Sequence, residues 1–265
     1  MIELKTVGVL LRPGDQSYPL DLLRTQLQRA GIGMLVLDDR PPAEPLDLVI
    51  AMGGDGTVLK ALDLMPGCPV LAINYGTVGF LTAGGRDDLE LLVHRLIERR
   101  YIVSDRLLIR CDHPGGTTHV VNEIVLRSSW RMMNVEVSID GGKIRNIRGD
   151  GVIVGTPTGS TGYLLSTGAP VVMPDVECFI LDGLNEYNFT SRALILSPRS
   201  HIHLLVTHVF TGEHAHLYID GNPVGPVPVG QAISLQRSDR RAQLLFFEEH
   251  YFFRNLSSRL GWEGR

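Results

Sequence analysis

Over the first hundred residues the apolar positions follow two alternating rhythms. Short, nearly unbroken apolar runs at residues 6–11, 34–37, 46–52 and 69–73 read as strands buried on both faces. Between them apolar residues recur at helical spacing. Leu20, Leu23, Leu27 and Ala30 do so ahead of Gly31, which stands where a helix-ending C′ residue belongs. Residues 58–65 form a second helical run, and residues 87–99 a third that opens on Asp and closes on Arg, as the helix dipole favours. This alternation predicts a parallel sheet wrapped by helices, a Rossmann-like α/β domain over residues 1–100.

From about Tyr101 the period shortens. Strand-like segments at 107–111, 119–127, 134–139, 151–155, 193–196, 201–207, 216–219, 232–236 and 242–247 are punctuated by turn dipeptides such as Asp140-Gly141 and Asp220-Gly221. They predict a mostly β domain over residues 101–240. Residues 251–262 read as a helix, so the segment 241–265 is expected to return to the first domain.

Composition narrows the function classes. The 265 residues suffice for one large core or two modest ones, and the net charge of −4 gives no basic footprint for nucleic acid. No apolar run reaches the ~18 residues of a membrane span. Cys68, Cys111 and Cys178 are scattered without metal-ligand spacing, and the chain enters a strand directly at its start. A reduced, cytoplasmic protein is expected. Asn255-Leu256-Ser257 fits the glycosylation sequon and reads as a chance match in such a protein.

The chemistry begins at Gly53-Gly54-Asp55-Gly56-Thr57, between the 46–52 strand and the 58–65 helix. Glycines at a strand-to-helix turn let the backbone approach a ligand and aim N–H groups at phosphate. A carboxylate there is unfavourable beside phosphate unless it takes up a proton or holds a hydroxyl or a metal-bound water, so the turn reads as a phosphoryl-transfer site with its own base. A P-loop lysine motif and Gly-x-Gly-x-x-Gly are both missing.

Two further segments carry polar chemistry. Residues 148–166, from Arg148-Gly149-Asp150-Gly151 through Thr156-Pro157-Thr158-Gly159-Ser160-Thr161-Gly162-Tyr163 to Ser166, are dense in hydroxyls and glycines that suit a base edge and ribose hydroxyls, with Tyr163 able to stack on a ring. Their composition fits equally a loop closed by an ST-turn and a helix N-cap. Asn122-Glu123, within the 119–127 strand, places one polar side chain on each face; Asn suits an adenine edge and a carboxylate suits ribose hydroxyls.

Taken in order, Gly53 to Thr57, Asn122-Glu123 and the Gly-Asp-Gly to Ser-Thr run at 149–161 resemble the NAD kinase family. Supporting stretches are Asn74 to Thr82, Asp220-Gly221 and Leu260-Gly261-Trp262. The resemblance implies transfer of phosphate from ATP, another triphosphate or polyphosphate to the adenosine 2′-hydroxyl of NAD, with Mg²⁺ or a similar divalent cation and in a homodimer or homotetramer. It implies that Asp55 is the base, with Gly56 beside it, that Asn122 binds adenine, and that Glu123 binds ribose. Thr158, Thr161, Gly162, Tyr163 and Ser166 would line the dinucleotide pocket, Asp150 its nicotinamide end, and Arg131 and Arg148 would approach phosphates. Gly53, Gly54 and Thr57 would take the phosphate donor. No protein ligand cluster for the metal is visible.

Three departures stand out. Gly162 replaces the family's usual Ala, and Asn222 replaces a Gln one methylene longer. Residues 184–189 differ from the family's Pro, Cys and His and have no assigned role. Two rivals remain at this stage. A lipid kinase shares the first glycine motif but needs an apolar channel, whereas 149–166 is polar; a dinucleotide-sensing binder gains nothing from Asp55.

Overall fold

A computed structural model describes residues 2–14, 18–76, 79–188, 190–210 and 214–262. The chain divides into two units, Met1–Asp105 together with Ala242–Arg265, and Arg106–Arg241.

The first unit runs β1 (Thr6–Leu11), α1 (Leu20–Arg29), β2 (Gly33–Val36), β3 (Leu48–Gly53), α2 (Asp55–Leu64), β4 (Val70–Asn74), the two-residue β5 (Gly84–Gly85), α3 (Leu89–Ile97) and the start of β6 (Ile102–His113). β3 pairs with β1 and β4, β1 with β2, and β4 with β5, all parallel. Leu48, Ile50, Leu71 and Ile73 are fully buried, as expected of strands covered on both faces. α1 contributes Leu23 and Leu27 to the core, and α3 contributes Leu92, Val93 and Leu96. Gly31 takes φ +74°, the left-handed conformation that ends α1. Because β1, β3 and β4 are parallel and in register, Leu11, Gly53 and Asn74 bring three carboxyl ends together, with Leu11 opposite Met52 and Gly53 opposite Asn74. Open parallel sheets bind ligands at that end.

In the second unit follow β7 (Gly116–Val120), β8 (Glu123–Ser128), β9 (Met133–Ile139), β10 (Gly142–Gly149), β11 (Gly151–Gly155), a 3₁₀ turn at Thr158–Thr161, α4 (Tyr163–Ser166), β12 (Phe179–Leu184), β13 (Leu194–Leu196), β14 (Ile202–His208), β15 (Ala215–Ile219), β16 (Asn222–Val227) and β17 (Ala232–Phe246). One antiparallel sheet has the order β13-β12-β11-β8-β15-β16, and β10, β9, β14 and the first part of β17 form another antiparallel set. Ile124, Leu126, Val152 and Val154 from one sheet join Val135, Val137, Leu204 and Leu235 from the other in one core. Asp140-Gly141 and Asp220-Gly221 both have positive φ at each residue, as type I′ hairpin turns require, and they close β9–β10 and β15–β16.

The chain re-enters the first unit at Ala242. Leu244 and Leu245 of β17 pair in parallel with Val70 and Leu71 of β4, and α5 (Tyr251–Leu260) ends at Gly261, φ +67°. The α/β and mostly β classes expected from the periodicity are therefore present, as is the returning C-terminal segment. Several element readings are corrected. The strand expected at 119–127 is two strands broken at Val121-Asn122, and the two expected at 232–236 and 242–247 are one continuous strand. α2 starts at Asp55 instead of Val58, which places that carboxylate in the first helical turn. β10, β12 and β16 lie where no strand was expected.

Candidate active site

In the first unit the glycine turn is built by close approach. A Cβ on Gly53 would lie 2.2 Å from Thr57 Oγ1, so only glycine lets the end of β3 meet the first turn of α2. Gly54 caps the helix in an extended conformation, and Gly54 and Gly56 face open space. They line a recess of about 370 Å³ with Arg12, Pro13, Thr57 and Lys60. Arg12 arrives because β1 runs beside β3; its N–H donates to the Met52 carbonyl at 3.0 Å. Lys60 pairs with the exposed Asp39. Neither cation was anticipated: sequence spacing does not relate position 12 to position 54, and only strand order does. Gly53 lies behind the recess rather than on it.

Asp55 points the other way along the turn. Its Oδ2 accepts the N–H of Phe80 at 3.0 Å, and its Oδ1 accepts that of Leu81 at 3.0 Å. A Cβ on Gly79 would sit 2.2 Å from Oδ1, so that glycine too is a condition of the contact. Two charge-assisted bonds fix the carboxylate while leaving acceptor capacity on both oxygens. Thr77 and Val78, within the 74–82 stretch, lie outside the described residues.

In the second unit the polar segments converge on Asn122 and Glu123. The Asp220 carboxylate accepts the N–H groups of Val121, Asn122 and Glu123 at 2.9, 2.6 and 3.2 Å. Those amides are thereby drawn out of the ladder, which is why the expected strand breaks and Asn122 lies between strands rather than within one. The 156–162 turn then packs on the break: Thr156 N–H donates to the Asn122 carbonyl at 2.9 Å, and a Cβ on Gly159 would fall 2.2 Å from the same oxygen.

The result is a pair of buried acceptors without protein donors. Among the described residues Asn122 Oδ1 and Glu123 Oε2 have no hydrogen-bond partner, and Glu123 is 6 % exposed. Burial pushes the Glu123 carboxyl up to about 7; the Asp220 carboxylate adds to the rise and the Tyr163 N–H opposes it. Buried polar groups are normally paired, so two adjacent orphans mark a place for a ligand's N–H or O–H groups.

The remaining sequence candidates separate into three places. Tyr163, Ser166 and Asp150 line a recess of about 580 Å³ with Asp182, Asn185 and Glu186. Arg131, Arg148 and Asp150 line another of about 730 Å³ with Trp130, Phe210 and His208. Thr158 and Thr161 serve the turn itself: Thr158 Oγ1 accepts from the buried Arg106 at 3.4 Å, and Thr161 Oγ1 donates to the Thr158 carbonyl at 3.2 Å. Asn222 begins β16, is exposed, and lines none of these recesses. Arg106 and Asp220 are structural supports that the site reading had not included.

Comparison with known proteins decides the family. Residues 40–101 match the ATP-NAD kinase N-terminal domain and residues 121–246 the ATP-NAD kinase C-terminal domain. The chain belongs to the NAD kinase family. It is 35 % identical over 228 residues to an NAD kinase of Koribacter versatilis, covering 83 % of this chain and 79 % of that one. Against an NAD kinase of Wolinella succinogenes it is 31 % identical over 281 residues, covering 98 % and 96 %. Among solved structures, an Archaeoglobus fulgidus NAD kinase in complex with ATP superposes with a TM-score of 0.81 at 28 % identity, covering 96 % of this chain and 99 % of that one. Yeast NADH kinase complexed with NADH gives 0.87 at 25 %, covering 99 % and 89 %.

As an NAD kinase, the chain catalyses phosphorylation of NAD, and its departures from the family pattern acquire locations. A Cβ at Gly162 would lie 3.1 Å from Glu123 Oε2, so the glycine relieves crowding against the orphan oxygen. The 184–188 stretch forms a polar knot. Asn185, at φ +44°, donates from Nδ2 to Asp150 Oδ2 at 2.7 Å, while Glu186 binds Arg145 and accepts from Ser191 Oγ at 2.7 Å. Phe189 lies outside the described residues.

Proposed function

We propose that this NAD kinase transfers the terminal phosphoryl group of ATP to the adenosine 2′-hydroxyl of NAD, with Asp55 as the general base. The observation that carries the reading is the Asp55 carboxylate, fixed by two backbone N–H groups at the first turn of a helix whose N-terminal glycines suit phosphate. In the transfer the 2′-oxygen bonds to the terminal phosphorus, the bridge to the leaving diphosphate breaks, and the hydroxyl proton passes to Asp55. Such transfers have loose transition states, so positioning and charge neutralisation dominate.

Asn122 Oδ1 is assigned the adenine amine, and Glu123 Oε2 a ribose hydroxyl, because both are buried acceptors waiting for donors. Tyr163, Ser166 and Asp150 are assigned to the remainder of the dinucleotide, and Arg131 and Arg148 to its phosphates. The donor phosphates are assigned to the recess of Gly54, Gly56 and Thr57, where Arg12 and Lys60 supply positive charge.

Among the described residues no three His, Cys, Asp or Glu side chains cluster to hold a metal. These residues do not fit a resident metal site; a divalent cation is assigned to the incoming triphosphate as part of the substrate.

Asp55→Asn keeps the size of the side chain and removes the base, and gives up one of the two backbone bonds, since an amide nitrogen cannot accept the N–H of Phe80 or Leu81. It is expected to lower kcat by ~10²–10⁴ with the affinity for NAD nearly unchanged. Turnover of NAD with ATP and Mg²⁺, with the phosphorylated position read by NMR, is the measurement. Near-normal kcat in the variant, or phosphate on another hydroxyl, would sink the assignment.

A further inference from the structure

The loop that holds Asp55 is itself held by the C-terminal helix. Asn255 of α5 is 2 % exposed, and its Nδ2 donates to the Thr82 carbonyl at 3.0 Å and to the Phe80 carbonyl at 3.4 Å. Its neighbour Arg254 donates to the Ala83 carbonyl at 3.3 Å, and the Arg259 guanidinium lies 5.6 Å from the centre of the Phe80 ring. Three side chains of one helix therefore grip three residues of the loop, Phe80, Thr82 and Ala83.

The Phe80 carbonyl and the Leu81 N–H belong to one planar peptide unit, pointing in opposite directions. One end of that unit accepts from Asn255; the other donates to Asp55 Oδ1. Tilting the plane to satisfy one bond breaks the other. A chain of hydrogen bonds through a shared amide also polarises each member, so the donor on Asp55 is strengthened by the donor on the carbonyl. With the Thr82 carbonyl held as well, the plane has little freedom.

We propose that Asn255 is a positioning residue for phosphoryl transfer, setting the orientation of the Asp55 carboxylate through the Phe80–Leu81 peptide without touching either substrate. Nothing in the 251–262 helical pattern marks it for this role, since its only sequence distinction is the chance sequon. The proposal rests on the assignment of Asp55 as base, and its test separates the two.

The experiment is a double-mutant cycle of Asn255→Ala and Asp55→Asn in the full-length protein, joined to amide hydrogen exchange. Asn255→Ala alone is expected to lower kcat by ~10–100-fold with KM for NAD within about threefold, as misplacement of a reacting group does. In the Asp55→Asn background the same change is expected to alter the residual kcat by less than about twofold, since there is no base left to misplace. Exchange at the Leu81 amide is expected to quicken by at least ~10-fold while amides of β3 are unmoved. Equal loss of kcat in both backgrounds, or unchanged exchange at Leu81, would overturn the proposal. Should Asn255→Ala fail to fold, Asn255→Gln retains the amide one methylene further out, and Leu81 exchange and kcat are expected to shift together; a change in one without the other would also overturn it. A normal kcat in Asp55→Asn alone would remove the base assignment, while the exchange result would still report whether Asn255 holds the peptide.

Discussion

At the scale of single residues, Glu123 shows how the fold creates a charge problem that a ligand can relieve. Burial and the nearby Asp220 carboxylate move its carboxyl from 4.5 to about 7. Between those values the folded protein keeps a proton that the unfolded chain releases. Its contribution is therefore most favourable below pH 4.5 and is lost as the pH rises through about 7. The difference corresponds to roughly 3 kcal/mol. Glu123→Gln keeps the shape without the titration, so its stability relative to the parent is expected to improve by about that amount between pH 4.5 and 8, measured by urea unfolding. A difference independent of pH would show that the group does not titrate in this window. Glu123 stood out as a candidate in the sequence because Asn and Glu stand side by side in an apolar run. Its environment was not, because the Asp220 carboxylate that shapes the break is almost a hundred residues away.

At the scale of elements, legibility followed how local the cause of each element is. The 46–52 run could be read because a strand buried on both faces must be apolar throughout. β10 could not, since Lys143, Arg145 and Asn146 lie on a hairpin arm whose order comes from pairing with β9. β12 was hidden by Asp182-Gly183, and its end is secured by the knot that follows. In that knot Glu186 and Arg145 form a largely buried pair, their side chains 6 % and 16 % exposed. Glu186→Ala leaves the largely buried guanidinium without its carboxylate, with only the Arg192 carbonyl still accepting from it. The loss is expected to be about 3 kcal/mol or more, read as a fall in urea midpoint with an unchanged slope. A loss below about 1 kcal/mol would place the pair with surface ion pairs instead.

At the scale of the whole molecule, the two units differ in how the chain builds them. The second unit is one continuous stretch whose core comes entirely from residues 107–235. The first is discontinuous: the β17 pairing with β4 and the whole of α5 come from beyond residue 241. A protein ending at Glu249 is expected to lose NAD phosphorylation beyond detection while the amides of β8, β9 and β11 keep their protection from exchange. Loss of protection throughout would show that the second core depends on the missing helix.

That discontinuity sets an order of events on the ribosome. Asp55 emerges well before the helix that grips its supporting loop, which lies almost two hundred residues further along. The nascent chain can display the Gly53–Thr57 turn and complete the β core while the carboxylate is still unguided. On the role proposed for Asp55, competence for phosphoryl transfer waits until α5 has left the exit tunnel and closed on Phe80, Thr82 and Ala83.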